Sequence, residues 1–566
     1  MLACADFETT TNIDDCRVWA FSIIEIGNYN NFVWGNSINE FMEFCSNKKE
    51  NHVLYFHNLK FDGEFIFYWL FENGFKSVKD SKKLVTKSFS TLISDKGQFY
   101  SIEICFEKNG HKTNKVTIYD SLKILNFSVT KIAKDFDLPI SKLEIDYKME
   151  RKIGYNLSEE EINYIKNDVE IVARALEILF SMGMNKMTIG ANALNEYNNV
   201  VGKKKFEKVF PIPTNEMDYN VRQSYKGGFT FLNKKYKNKT VGDGIVLDVN
   251  SLYPSVMYSA KLPYGEGIFF EGKYKSDKLY DLYVQTFTCS FQVKEGFIPT
   301  IQIKNTLSFI PTEYLENSGN EEVKLTLTNI DLELFLKHYD VYNIEYLRGY
   351  KFKSTTNLFK KYIDKWVGVK IQSKKDNNSS MYTISKLMLN TLYGKFSVNP
   401  NIRGKYPTYD KKSGLVKYVY GEWEERKPIY IPVGTFITSW ARYKTISAAQ
   451  KVYDRFIYAD TDSLHLEGTE LPKDLEIDDY KLGAWKLEFI FSKGKYLRQK
   501  SYMEYGKEPN EVEEYVKITC AGMPSTCYKN VDFDNFKIGS SFAGKLQQTR
   551  VKGGIVLKDI DFTIKK

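Results

Sequence analysis

The chain has 566 residues, and at ~150 residues per domain it has room for about three or four domains, each with its own core. Hydrophobic residues make up 43%, which excludes a disordered composition, and no apolar run approaches the roughly 18 residues of a membrane helix. Lysine and arginine total 80 against 71 aspartate and glutamate, and the net charge of +9 fits a nucleic-acid partner without requiring one. The 40 Tyr and 39 Phe either stack on bases or simply fill cores. Seven cysteines without a C-x-x-C spacing argue against a disulfide framework or a zinc site and fit reduced thiols. Met1-Leu-Ala-Cys-Ala-Asp-Phe-Glu8 carries no basic n-region, so a soluble, non-secreted protein is expected.

In chain order, the first ~185 residues alternate short β-rich runs (Val53-Leu-Tyr-Phe, Val116-Thr-Ile-Tyr) with helical patterns such as Glu159 to Met182, the pattern of one α/β domain. Asp6-Phe-Glu8 on the first strand puts two carboxylates on one face. Asp62 follows His57-Asn58-Leu-Lys-Phe61, and Tyr164 and Asp168 stand at i, i+4 on a helix. Four carboxylates with a tyrosine suit two-metal hydrolysis of a phosphodiester, the Tyr164 hydroxyl orienting the attacking water. Any one of these acids alone reads as ordinary surface charge.

The Lys-rich stretch 202–208 with Pro211 and Pro213 reads as a linker. A short apolar strand, Gly244-Ile-Val-Leu, then delivers Asp248, whose neighbour Val249 offers a carbonyl, and turns into Ser251-Leu-Tyr253-Pro254. A long helical stretch is expected over about 356 to 396, where Lys386, Asn390 and Tyr393 fall at i, i+4 and i+7 and so line one face. The lysine there can meet triphosphate oxygens and the tyrosine can pack against a base; Gly394 ends the helix or lets a base approach. The bland alternative is an amphipathic helix with a snorkelling lysine. A hairpin is expected between Pro400 and Pro432, around Lys412-Ser-Gly and the alternating run from Val416. Next, Phe456-Ile-Tyr-Ala-Asp460-Thr-Asp462-Ser reads as strand, turn and strand, with Asp460 and Asp462 expected to project together because residues two apart on an extended chain share a face. Adjacent carboxylates repel unless a cation lies between them, and two divalent ions ~3.5–4 Å apart serve nucleotidyl transfer in this way. The last ~45 residues read as a small β-rich unit.

Taken together, these motifs resemble the protein-primed branch of the family B DNA polymerases, of the phi-29-like phage type. The similarity runs from Cys4-Ala-Asp-Phe-Glu-Thr-Thr-Thr11 to Phe562-Thr-Ile-Lys565 and includes Asp248-Val-Asn-Ser-Leu-Tyr-Pro254, the Lys386 helix, Tyr458-x-Asp-Thr-Asp-Ser463 and Lys500-Ser-Tyr502. The resemblance implies an α/β and α+β multidomain fold, a ribonuclease H-like 3′–5′ exonuclease domain followed by a right-hand polymerase with two insertions. Its implied domains are the exonuclease at 1–187, palm at 188–259 and 431–522, a first terminal-protein-region insertion at 260–357, fingers at 358–397, a second insertion at 398–430 and thumb at 523–566. It implies proofreading and strand-displacing, protein-primed phage replication in the cytoplasm of a bacterial host. The implied partners are primer-template and single-stranded DNA, dNTPs and a separate terminal protein, the enzyme being otherwise monomeric and free of membrane. The implied cofactor is Mg²⁺, two ions per active site, with Mn²⁺ as substitute.

Carried over by motif position, Asp248, Val249 and Asp462 are expected to hold metal, with Asp460 nearby. Tyr253 matches the steric gate and Tyr393 its companion, Lys370 and Lys386 the triphosphate ligands, and Asn390 a further nucleotide contact. Tyr225, Gly227 and Gly228 match the motif linking the two activities, and Ser251, Thr438, Arg442, Lys500 and Tyr502 match primer or template contacts. In the exonuclease, Asp6, Glu8, Asp62 and Asp168 match metal ligands, Tyr164 the water-orienting residue and Lys142 a catalytic residue. Thr9, His57, Asn58, Phe61, Ser121, Leu122, Phe127 and Tyr147 match contacts to the frayed 3′ end. Thr391 replaces the family's serine, Tyr382 stands at a second basic position of the fingers, and the stretch from Lys370 to Lys386, with Asn377-Asn-Ser-Ser380, is longer than in the family. The competing reading is a metal-dependent nuclease whose C-terminal part only clamps DNA, which would have no need of Tyr253, Lys386 and Tyr393.

Overall fold

The computed structural model describes residues 1–47, 51–110, 112–147, 149–302, 314–319 and 321–565; part of the first insertion, 303–313, lies outside the described residues. Among the described residues, the N-terminal part holds an eight-stranded mixed sheet. At its centre Leu2–Thr9, His52–Phe56 and Lys112–Asp120 run parallel. Leu54, Phe56, Val116 and Ile118 are fully buried there, as expected of strands covered on both faces. Helix Glu159–Ser181 packs across Leu2–Thr9 and Val18–Glu25. A Ser158–Glu161 capping box starts it, and three glutamates in its first turn complement the helix dipole.

A second sheet, also eight-stranded among the described residues, is antiparallel throughout. Its main order is Tyr515–Cys520, Ser501–Lys507, Trp485–Arg498, Gly244–Val249, Ser463–Glu467, Phe456–Asp460 and Thr230–Leu232. Helix Ile431–Lys451, buried along most of its length, supports it. The first insertion adds a four-stranded sheet of Leu262–Glu271, Tyr339–Thr355, Leu282–Val293 and Val323–Thr328.

Two expectations are corrected here. The helical stretch 356–396 is two antiparallel helices, Lys360–Lys375 and Ser379–Thr391. Asn377 at φ 52° breaks the first, and the Asn378 side chain caps the second by accepting the Met381 amide. Asn377 and Asn378 therefore make the tight turn, and Ser379 and Ser380 open the second helix. The Lys-rich run after Gly202 is a helix, Lys203–Val209, and not a linker. Phe206, and Phe210 just beyond the helix end, insert among Tyr197, Phe359 and Phe396, and aromatic burial overrides the polar composition.

Two distant hairpins close on the N-terminal domain. Lys405–Asp410 pairs with Leu415–Tyr420, and Ser541–Val551 pairs with Gly554–Thr563. Val416, Ile555 and Val556 complete the N-terminal core beside Phe65 and Phe67. Arg550 and the Tyr418 hydroxyl both donate to Oε1 of the buried Glu64, at 2.9 and 3.0 Å, with the guanidinium over the Tyr418 ring. Gly553 is obligatory: its φ is +100°, and a Cβ would stand 2.0 Å from the Cys16 carbonyl. Replacing Arg550 by leucine strands the Glu64 carboxylate and should cost about 1–3 kcal/mol in denaturant unfolding. Adding Glu64→Leu should recover most of that loss; a double variant weaker than the single one would show that the pair is not what joins these segments.

Two candidate active sites

Strand Gly244–Val249 carries buried Ile245, Val246 and Leu247 and ends with Asp248 in register with Ser463 and Lys486. The Val249 amide donates to the Asp462 carbonyl at 2.8 Å, bringing both aspartates to one end of the sheet. Burial pushes the Asp248 carboxyl up to about 8, with Asp462 and Glu488 adding repulsion against Lys517 and Lys486. Asp462 is also raised, chiefly by burial, with its own amide opposing and Asp460 and Glu488 assisting.

Asp460 and Asp462 do not share a strand face, which corrects the alternation argument. Thr461 and Asp462 are the turn between Phe456–Asp460 and Ser463–Glu467, and Thr461 is left-handed at φ 61°. Alternation does not run through such a turn. Asp460 instead accepts from Lys500 Nζ on both oxygens, at 2.9 and 2.8 Å, and from Thr230 at 3.0 Å. Gly228 lies against the same turn, where a Cβ would stand 2.6 Å from Thr461 Oγ1; Gly227 has open space.

Ser251, left-handed at φ 56°, turns the chain from Asp248 into helix Leu252–Ser259. The Tyr253 ring stacks on Tyr393 with centroids 4.0 Å apart and planes at 16°. Tyr393 opens a 3-10 turn after the helix has ended, so only Lys386 and Asn390 share the helical face. Those two line a cavity of about 790 Å³ with Tyr382 and, from the N-terminal domain, Phe127 and Lys131. Lys370 is held below the ordinary lysine range by burial and then by the Lys386 charge. Two cations thus face each other across the helix pair.

Some expected DNA contacts are spent inside the protein. Thr438 is 1% exposed and donates to the Thr435 carbonyl at 3.0 Å. Arg442 is 5% exposed and donates to Asp331 and to the Lys226 and Gly227 carbonyls at 2.7 and 2.9 Å. In this structure Arg442 anchors the backbone of Tyr225-Lys-Gly-Gly, and Thr438 packs within its helix. Tyr502 is buried against Tyr458 and Tyr496, whereas Lys500 is exposed.

In the N-terminal domain one oxygen each from Asp6, Glu8 and Asp168 lies within 4.8 Å of the others. Burial lifts Asp6 to about 7, with Asp168 adding repulsion, and holds Glu8 and Asp62 well above the carboxylate range. Asp62 stands in the first turn of helix Leu59–Glu72, outside that triplet but coupled to Asp6 and Glu8. Lys142 pairs with Asp168 Oδ2, and burial, which would lower the lysine, is outweighed by that charge. The Asp168 Oδ1 atom is buried without a protein partner. The Tyr147 and Tyr164 hydroxyls lie 2.6 Å apart. Asn58, at φ 81°, donates its amide to Asp120 at 3.1 Å. His57 is held by Ser121 at 2.9 Å and by the Phe127 carbonyl at 2.7 Å, and Ser121 is fully buried, so these two position the pocket wall. Thr9, Phe61, Leu122, Phe127 and Tyr147 retain accessible surface.

Both carboxylate sets fit hard divalent cations: oxygen donors, like charges forced together, too few lysines to neutralise them, and an unpartnered buried oxygen in one.

A family model described as DNA polymerase type B, organellar and viral, matches residues 44–479. The DNA polymerases of Bacillus phages B103 and phi29 are 50% and 49% identical to the chain, covering 100% of it and 99% of their own lengths. The orthorhombic crystal form of Phi29 DNA polymerase superposes with a TM-score of 0.95 at 47% identity, covering 100% of both chains. The chain belongs to the type B DNA polymerases of the phi29-like phages. Its fold is accordingly a ribonuclease H-like exonuclease-type domain followed by a right-hand polymerase. A ternary complex of Phi29 DNA polymerase with primer-template DNA and incoming nucleotide superposes with a TM-score of 0.93.

Sequence reading missed several residues of this polymerase. Glu488 reaches Asp248 only through the register of Trp485–Arg498 against Gly244–Val249, and no linear spacing announces that. Asp331, from the first insertion, clamps Arg442. Asp120 was one residue from a position already singled out. No helix of the described residues is long and apolar enough to cross a membrane, and all seven cysteines are free and buried.

The raised carboxylates fix a pH dependence. Asp248 in the folded chain sits at about 8, above its unfolded ~3.9, so its contribution to stability is full below about pH 4 and is lost as pH rises toward 8. A divalent cation binds the ionised form. Saturating Mg²⁺ should therefore raise the melting temperature more at about pH 8.5 than at about pH 6. Equal shifts at both would mean the carboxylates are already ionised without metal.

Proposed function

We propose that the chain is a proofreading replicative polymerase, joining nucleotides at Asp248 and Asp462 and removing misincorporated ends at Asp6, Glu8, Asp62 and Asp168. The observation that carries this reading is the electrostatic linkage of two half-buried aspartates to a stacked tyrosine pair and a lysine pair: Asp248 and Asp462 repel each other, Asp462 bears on Tyr393, and Lys486 bears on both Asp248 and Lys370. The solved complexes of Phi29 DNA polymerase with primer-template DNA and with single-stranded DNA support DNA and dNTPs as ligands.

Asp248, Asp462 and the Val249 carbonyl would hold two Mg²⁺ ions, with Mn²⁺ as substitute. Bound there, the ions would acidify the primer 3′-hydroxyl and neutralise the departing pyrophosphate. Lys370 and Lys386 meet the triphosphate, the Tyr253–Tyr393 stack forms the floor under the sugar and base, and Asn390 lies on the same helical face as Lys386. The Tyr253 ring, held against Tyr393, would serve as the steric gate against a ribose 2′-hydroxyl. The Lys500 ammonium, held by Asp460, faces the primer strand. In the second site the Tyr164 hydroxyl, fixed by Tyr147, orients water, and Lys142 offsets part of the burial that raises Asp168. The exposed hairpin around Lys412 supports strand displacement. Priming by a terminal protein, monomeric action and a place in the bacterial host's cytoplasm complete the reading.

Asp248→Ala should abolish extension of a primed template, a loss of at least about a thousandfold, while degradation of single-stranded DNA continues. Asp6→Ala with Asp62→Ala should do the reverse. Loss of both activities in either variant would refute two separable centres.

A further inference from the structure

Beneath the strand pair Phe456–Asp460 and Ser463–Glu467 lies a buried histidine–glutamate pair that the chemistry above does not use. His465 is 1% and Glu504 0% exposed, and the His465 Nδ1 to Glu504 Oε1 distance is 2.6 Å. The Tyr496 hydroxyl donates to the same Oε1 at 2.6 Å. His465 Nε2 and Glu504 Oε2 have no protein partner. Such a half-satisfied buried pair is a poor device for stability, since apolar residues of the same volume commonly hold a core as well or better.

Its placement suggests another use. His465 lies on Ser463–Glu467, three residues after Asp462, and Glu504 lies on Ser501–Lys507, two residues after Tyr502. These strands are not neighbours: Gly244–Val249, which bears Asp248, and Trp485–Arg498 lie between them. The pair therefore bridges the curled sheet from one side to the other. Around the imidazole, Tyr458 and Tyr502 present edge-on rings at 5.1 and 4.9 Å, and Tyr496 stacks on Tyr502 at 5.7 Å. The Tyr458 hydroxyl accepts the Lys500 amide at 2.9 Å and donates to Asp460 at 3.3 Å, while Lys500 itself is left-handed at φ 55°. An unbroken chain of contacts thus joins the buried pair to the Lys500–Asp460 ion pair beside the reacting end.

We propose that His465 and Glu504 form a positioning dyad for nucleotidyl transfer, fixing the sheet's curl and, through Tyr458, the register of Lys500 and Asp460. The inference rests on the polymerase reading of the Asp248 site. Both side chains are fully buried, so they act through their neighbours Tyr458, Tyr496 and Tyr502.

Glu504→Leu should lower kcat for primer extension about tenfold or more, because small misplacements of positioning groups are costly, and leave KM for dNTP within about twofold. Glu504→Gln, which keeps both hydrogen-bond acceptor contacts, should restore most of the rate. Glu504→Leu combined with Lys500→Ala should be no slower than Lys500→Ala alone, since both act along one path. Single-strand degradation and melting temperature, measured on the same preparations, report folding. Should Glu504→Leu fold poorly, Tyr496→Phe removes one of the two bonds at little change in volume, and a partial kcat loss is expected with degradation unchanged. Wild-type kcat in a folded Glu504→Leu or Tyr496→Phe variant overturns the proposal, as does a rate loss that multiplies with that of Lys500→Ala. Wild-type protein that never extends a primer would instead sink the polymerase reading.

Discussion

Repulsion between buried carboxylates is the constraint around which the molecule is organised. Asp248 and Asp462 at one end, and Asp6, Glu8 and Asp168 at the other, are held closer and drier than isolated acids tolerate. Backbone hydrogen bonds of a sheet can impose that, because a strand end cannot retreat without breaking its ladder. Each site accordingly draws its acids from different strands or helices supported by fully buried neighbours. The strain shows locally: Ser251, Thr461 and Lys500 at one site and Asn58 at the other are non-glycine residues in left-handed conformation.

Around the two sites, cations are spent selectively. Arg442 and Lys142 are committed to protein carboxylates or carbonyls, and Arg550 neutralises Glu64, two residues past Asp62 on the same helix. Lys370 and Lys386, by contrast, repel each other across the helix pair Lys360–Lys375 and Ser379–Thr391. A polyanion placed there would relieve a repulsion the folded chain already carries.

Much of this was readable in the linear chain where local rules dominate. The apolar runs before Asp248 and Asp460, the helical pattern from Glu159 and the turn signal near Ser413 all report short-range physics. Asp6 and Glu8 share a face because their strand is regular. The readings that failed did so where a turn or tertiary packing took control. Thr461 redirected Asp460 toward Lys500, Asn377 split one helix into two, and Phe206 with Phe210 folded a lysine-rich run into a helix. Thr438 and Arg442 were matched by motif, yet a motif carries no burial, and only the packing of helix Ile431–Lys451 turns them inward. Glu488 depends on a strand register between residues more than two hundred positions apart, which no spacing encodes.

The final hairpin has a consequence for biosynthesis. Ile555 and Val556 fill the same core as Phe7, Phe56 and Phe65, and Gly553 rests on the Cys16 carbonyl. While a ribosome still holds the C-terminal segment, the first domain to emerge has an open socket in its apolar centre. Its β-sheet can pair early, but the core is sealed only when the last strand arrives. Loop closure over more than five hundred residues makes that step late and slow. Until then, exposed phenylalanines are what a holding chaperone would meet, and the nascent domain reaches its full stability together with the rest of the enzyme rather than ahead of it.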